Sequence, residues 1–130
     1  MSRFTEPLVV TPRPDGRTWI VLSDFGYEVG EDGSGDIIKV EIGFHTDFAS
    51  IPRPLWMFLP RWGKYGNAAV IHDYLYWEQT RPRKESDDIL MEGMVVLNVG
   101  VIKRHLIYFA VRIGGWWSWR RSQSRKRAAR

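Results

Sequence analysis

The chain has 130 residues, no cysteine, seven tryptophans and a formal net charge of +4. That length can bury a core without covalent staples, and the lack of cysteine excludes disulfides and thiolate metal sites. No apolar run reaches the roughly eighteen residues a spanning helix needs, and residues 1–10 lack a basic-then-apolar leader pattern.

The charge is unevenly spread. Arg120, Arg121, Arg125, Lys126, Arg127 and Arg130 are six cations with no acid among them, so the rest of the chain carries −2, four less six. The sequence therefore reads as a single α+β domain over residues 1–119 and a basic tail over 120–130, disordered until a partner orders it.

In chain order, residues 1–16 form a Pro-rich lead-in with Pro7, Pro12 and Pro14, closed by the turn signal Asp15-Gly16. Residues 18–22 are rich in β-branched and aromatic side chains and predict a strand. Residues 25–29 predict a second, and the alternation of 37–42 about Lys39 and Glu41 a third. A glycine-rich loop, 30–35, separates the last two. Together these predict a small N-terminal antiparallel sheet. Residues 43–60 read as irregular, with Pro54 opening a short helix that Pro60 stops. Asp47 lies in this stretch, either as a site residue or as a turn cap.

Three helices should follow. The first spans about 66–78, with Asn67 as a candidate N-cap. On it Ala69, His72 and Tyr76 share a face, while Asp73 points about 100° away. The second spans about 83–97, where Asp87, Leu90, Met94 and Leu97 make the apolar stripe and Asp88 lies off it. A carboxylate on a core face needs a partner. The short connector around Pro82 favours antiparallel helices, which makes His72 that partner. The third spans about 101–113, with Ile102, Leu106, Phe109 and Ile113 as its stripe, until Gly114-Gly115 breaks it. Trp116, Trp117 and Trp119 then adjoin the basic tail.

An imidazole held by a carboxylate can act as a general base, because the acid fixes its tautomer and stabilises the imidazolium. Asp73, on another face, could hold a hard cation through oxygen. His72-Asp73-Tyr74-Leu75-Tyr76 resembles the His-Asp-x-x-Tyr helix of secreted and viral phospholipases A2. Ser86-Asp87-Asp88-Ile89-Leu90 is similar to the second helix of the cysteine-free viral members, which carry Ala-Asp-x-x-Phe there. The resemblance implies that His72 activates a water, that Asp73 binds calcium, and that Tyr76 and Asp87 orient His72. It departs at the glycine-rich calcium loop: Trp62-Gly63-Lys64-Tyr65-Gly66 is shorter and nearer His72, which leaves Asp47 as the supplementary oxygen donor.

A second resemblance covers more of the chain. Gly43-Phe44-His45-Thr46-Asp47-Phe48-Ala49-Ser50-Ile51-Pro52-Arg53, Ala68-Ala69-Val70-Ile71-His72-Asp73-Tyr74-Leu75-Tyr76, residues 83–87 and Tyr108-Phe109-Ala110-Val111-Arg112 are similar to an uncharacterised family of tailed-bacteriophage proteins, a domain of unknown function. It implies synthesis in a host cytoplasm and incorporation into a virion.

The leading expectation is a phage-encoded hydrolase using a His-Asp activated water on lipid or cell envelope. The alternative is a non-enzymatic, tail-associated virion component contacting other tail proteins, whose His72–Asp87 pair ties two helices. A metal peptidase drawing on His45, Asp47, His72 and Asp73 ranks lower, lacking a His-Glu-x-x-His pattern. Arg120, Arg121, Arg125, Lys126 and Arg127 are the candidate anion-binding residues, for nucleic acid or an anionic membrane surface. The plain alternative for them is a solvated charged terminus.

Overall fold

The computed structural model describes residues 4–14, 18–30, 33–46 and 66–128, with side chains as far as Arg125. The chain divides into two compact units, Met1–Asp47 and Phe48–Arg130. The architecture is the expected α+β, with antiparallel sheets first and three helices after.

The first unit holds β1 (Val10–Pro12), β2 (Trp19–Val21), β3 (Phe25–Glu28), β4 (Ile37–Val40) and β5 (His45–Thr46). They form two sheets rather than one, a three-stranded β1-β2-β5 and a two-stranded β3-β4. In the pair β3-β4, Phe25 faces Val40 and Tyr27 faces Ile38, and all four are buried. Ile37 and Lys39 alternate outward, which is the period-two pattern that marked this strand in the sequence. Gly26 sits between them because a Cβ there would lie 2.6 Å from the Ile38 carbonyl oxygen.

Two strands lie where the sequence predicts none. β1 falls in the Pro-rich lead-in, and it is an edge strand, where a proline's missing N–H costs no ladder bond. β5 is only two residues long, too short to carry a periodic signal, and pairs Thr46 with Trp19 and His45 with Ile20. Asp47 and the short helix expected after Pro54 lie outside the described residues.

The second unit contains α1 (Gly66–Glu78), α2 (Arg83–Val96) and α3 (Val101–Ala128). Ala68, Ala69, Val70 and Ile71 of α1 are consecutive and all buried, so this helix is enclosed on nearly every side. Asn67 lies one residue inside α1, not at its cap. Bonds from His72 to Asp87 and from Arg83 to Tyr76 show that later residues of α1 meet earlier ones of α2, the antiparallel pairing expected.

α2 ends in a left-handed turn at Asn98, φ 59°. The Asn98 N–H bonds Val95 O at 3.0 Å and the Val99 N–H bonds Met94 O at 2.9 Å. Val99 and Met94 are both buried beside this turn, the apolar contact that accompanies such a helix stop.

α3 departs from expectation twice. It does not stop at Gly114-Gly115 but continues through the basic segment to Ala128. The glycine pair is a site of close packing: a Cβ on Gly115 would lie 2.6 Å from the Tyr76 hydroxyl. The predicted stripe also faces the wrong way. Ile102, Leu106, Phe109 and Ile113 are exposed, while Ile107 and Val111 are sealed in the core with Gly115. The helix has two apolar faces, and the one that packs is the one carrying a glycine where Tyr76 arrives.

Candidate functional site

Asp87 is the centre of the polar cluster. It projects from the first half of α2 onto the core face and is 0% exposed, as is His72. One carboxylate oxygen, Oδ1, receives His72 Nε2 at 2.6 Å and the Tyr76 hydroxyl at 2.6 Å. The other, Oδ2, accepts from Arg112 Nη1 at 2.8 Å, with Arg83 Nη1 3.5 Å away. The four donors come from all three helices, so the carboxylate lies where α1, α2 and α3 meet.

The spacing of α1 explains the first two contacts. His72 and Tyr76 are four residues apart and lie one above the other on the helix, their rings tilted at 43° with centroids 4.2 Å apart. Arg83 is likewise four residues before Asp87 and so lies over the same face of α2. Its guanidinium also donates to the carbonyls of Val111 and Arg112, both at 3.1 Å. These bonds tie the start of α2 to the middle of α3, next to the glycine pair, and support the helix where glycine would weaken it. Trp119 closes the cluster from beyond: it meets Tyr76 edge-on at 5.2 Å, and its carbonyl accepts from Gln79 Nε2 at 2.9 Å.

Burial pushes the Asp87 carboxyl up. The hydrogen bond and charge of His72, with the bonds from Tyr76 and Arg112, outweigh it and hold the carboxyl below its ordinary value. Asp87 is therefore ionised at neutral pH and can only accept. It follows that His72 carries a proton on Nε2, and that in the neutral ring the lone pair is on Nδ1. The Tyr76 hydroxyl is driven well above its ordinary value, first by burial and then by its bond to Asp87 and the carboxylate charge, and stays a donor. The bond to Asp87 likewise raises Arg112.

The sequence-derived triad His72, Tyr76 and Asp87 thus comes together. Asp73 is half-buried on the neighbouring face of α1. Asp88 is separate from Asp87, taking Lys84 at 2.8 Å and the Tyr108 hydroxyl at 2.6 Å at the surface. His45 belongs to β5 in the first unit, where its Nδ1 lies 3.3 Å from Arg13 Nη1. Arg120, Arg121 and Arg125 are exposed on α3; the side chains of Lys126 and Arg127 lie outside the described residues.

Sequence reasoning passed over Arg83 and Arg112 as site residues. The first was findable from its i,i+4 spacing to an inward acid. The second depends on which face of α3 packs inward, which periodicity alone leaves open.

Residues 19–111 match the model of the family described as "Protein of unknown function (DUF1353)". The match spans most of the chain, from β2 into the middle of α3, and the chain belongs to this family. No curated protein and no solved structure matches it significantly.

Proposed function

We propose that the protein is a hydrolase in which His72, held by Asp87 and Tyr76, is the general base. The observation that carries this reading is the 2.6 Å contact between His72 Nε2 and an Asp87 oxygen that also receives Tyr76. The arrangement fixes the tautomer and the ring plane, and it supplies a counter-charge for the imidazolium formed when Nδ1 takes a proton from water. The water oxygen then adds to an acyl carbon, and the proton passes on to the leaving oxygen. The resemblance to phospholipase A2 helices suggests an ester of lipid or cell envelope as substrate. The resemblance to phage proteins suggests synthesis in a host cytoplasm and entry into the virion, beside other tail proteins.

Asp73 and Asp47 are the proposed calcium donors. A calcium ion takes about six to eight oxygens, and no group of three or more His, Asp or Glu side chains gathers among the described residues. Asp73 is the described donor in the proposed pair; Asp47 lies outside the described residues.

A second reading, the non-enzymatic virion component, is favoured by the burial of His72 and Asp87, both 0% exposed. Here the cluster only joins three helices. The two readings separate on one assay, hydrolysis of phosphatidylglycerol and of cell-envelope material by the full chain, with and without calcium. The hydrolase reading expects turnover, lost by about 10²–10⁴-fold in His72→Gln, with a fold unchanged by circular dichroism. A wild type inactive on both substrates under both conditions overturns it in favour of the structural reading.

A further inference from the structure

We infer that the outward face of α3 is a docking surface for an anionic lipid membrane, lying flat at the interface. The inference does not rest on the hydrolase reading.

The first observation is the exposed apolar stripe. Ile102 is 78% exposed, Leu106 56%, Phe109 58%, Ile113 82%, Trp116 41% and Trp117 68%. At about 100° per residue these six side chains fall on one side of the helix, roughly opposite the buried Ile107 and Val111. The stripe runs over sixteen residues, 102–117, fifteen steps of 1.5 Å or about 22 Å along the axis. Scattered exposed apolar residues are ordinary, but a continuous row marks an interaction surface.

Charge decides the occupant. Between Val101 and Ala128 there is no acidic residue, while Lys103, Arg120, Arg121 and Arg125 are exposed along or beyond the stripe. A second copy would bring like charge against like. Nucleic acid would satisfy the cations but leave Ile102, Leu106, Phe109 and Ile113 facing water. An anionic bilayer satisfies both, with phosphates for the cations and acyl chains for the stripe.

The two exposed tryptophans stand where the stripe gives way to cations, and Arg120 lies over the Trp116 ring, 5.0 Å from its centroid. Indole rings favour this boundary, apolar on the ring and polar at the N–H. No helix among the described residues is long and apolar enough to cross a membrane; a helix with one exposed apolar stripe beside cations suits the interface plane.

The test is co-sedimentation of the full chain with vesicles of mixed phosphatidylglycerol and phosphatidylcholine, against phosphatidylcholine alone. Binding should require the anionic lipid and weaken with salt. Phe109→Glu and Ile113→Glu, on exposed positions that leave the core intact, should each cut partitioning by about tenfold or more, a shift of about 1.4 kcal/mol. Unchanged thermal unfolding of these variants keeps the comparison clean, and His72→Gln should bind as the wild type does, whatever happens to hydrolysis. Binding unaffected by either glutamate overturns the proposal. So does preferential binding of duplex DNA that ignores the stripe, or a wild-type dimer in light scattering that the glutamates dissolve.

Discussion

Replacing Asp87 by Asn tests the centre of the structure with almost no change of shape. The wild-type carboxylate accepts from His72 and Tyr76 on one oxygen and from Arg112 on the other, all within 2.8 Å. An amide offers one acceptor oxygen and one donor nitrogen. With the oxygen toward His72 and Tyr76, the NH2 faces Arg112 and Arg83, donor against cation. With the amide flipped, it faces the N–H of His72 and the Tyr76 hydroxyl instead. Either way a donor is left unsatisfied near the core. Removing one partner of a buried charge pair costs about 3–5 kcal/mol. The Arg112 side chain is 29% exposed and can turn toward water, so the lower end, about 3 kcal/mol, is expected. At about 4–8 °C per kcal/mol for a small unit, Tm should fall by about 12–24 °C. Urea unfolding of the full chain by far-UV circular dichroism measures this, with the slope m unchanged. Asp88→Asn is the control: Asp88 pairs with Lys84 and Tyr108 at the surface, so only a small change is expected. A loss below about 1 kcal/mol for Asp87→Asn, or one equal to the control, would mean that the buried carboxylate does not hold these helices.

Gly115→Ala should destabilise by about 1–3 kcal/mol despite alanine's better helix propensity, because its Cβ would lie 2.6 Å from a Tyr76 hydroxyl that cannot retreat without leaving Asp87; a higher Tm in a thermal melt would contradict this packing. The acid limb of stability should depend on Asp87. Its carboxyl is held below the ordinary value in the folded chain, so the unfolded chain takes up the proton first. The stabilisation is complete above the ordinary value and lost as pH falls through the folded one. Calorimetry from about pH 6 down to about pH 2 should therefore show wild type losing its Tm advantage over Asp87→Asn; a constant difference would place the stabilisation elsewhere.

The sequence made α1, α2 and their polar contact legible for physical reasons. In the sequence, residues 66–78 sit between a turn signal and a proline-containing connector, and the bounds of α1 match. Asp87 falls in step with Leu90 and Met94, and a carboxylate among core residues demands a donor. Once the connector makes the helices antiparallel, His72 is the donor within reach. α3 was legible only as a helix. Ile102, Leu106, Phe109 and Ile113 make as good a stripe as Ile107 and Val111, and a helix with two apolar faces does not announce which one packs. The deciding fact is the approach of Tyr76 to Gly115, a contact between residues 39 apart that no local pattern contains. The glycine pair, read as a break, is what lets the two helices come close.

A buried ion network is an expensive way to hold helices together, since well-packed apolar residues of similar volume often do as well or better. Two sources of cohesion in this unit involve no bond to His72. The enclosed apolar residues of α1 and α2, among them Ile71, Leu75, Ile89 and Leu90, pack without it. Arg83 ties α2 to α3 through two backbone carbonyls, also without it. What the network does uniquely is fix one carboxylate from four sides, and through it the tautomer and plane of one imidazole. Tyr76 shares the oxygen that receives His72, so the ring cannot swing without displacing a second donor. That constraint joins three helices, and it is also what the proposed general base requires. The burial of the ring pulls the other way, and the comparison of wild type with His72→Gln weighs these two facts directly.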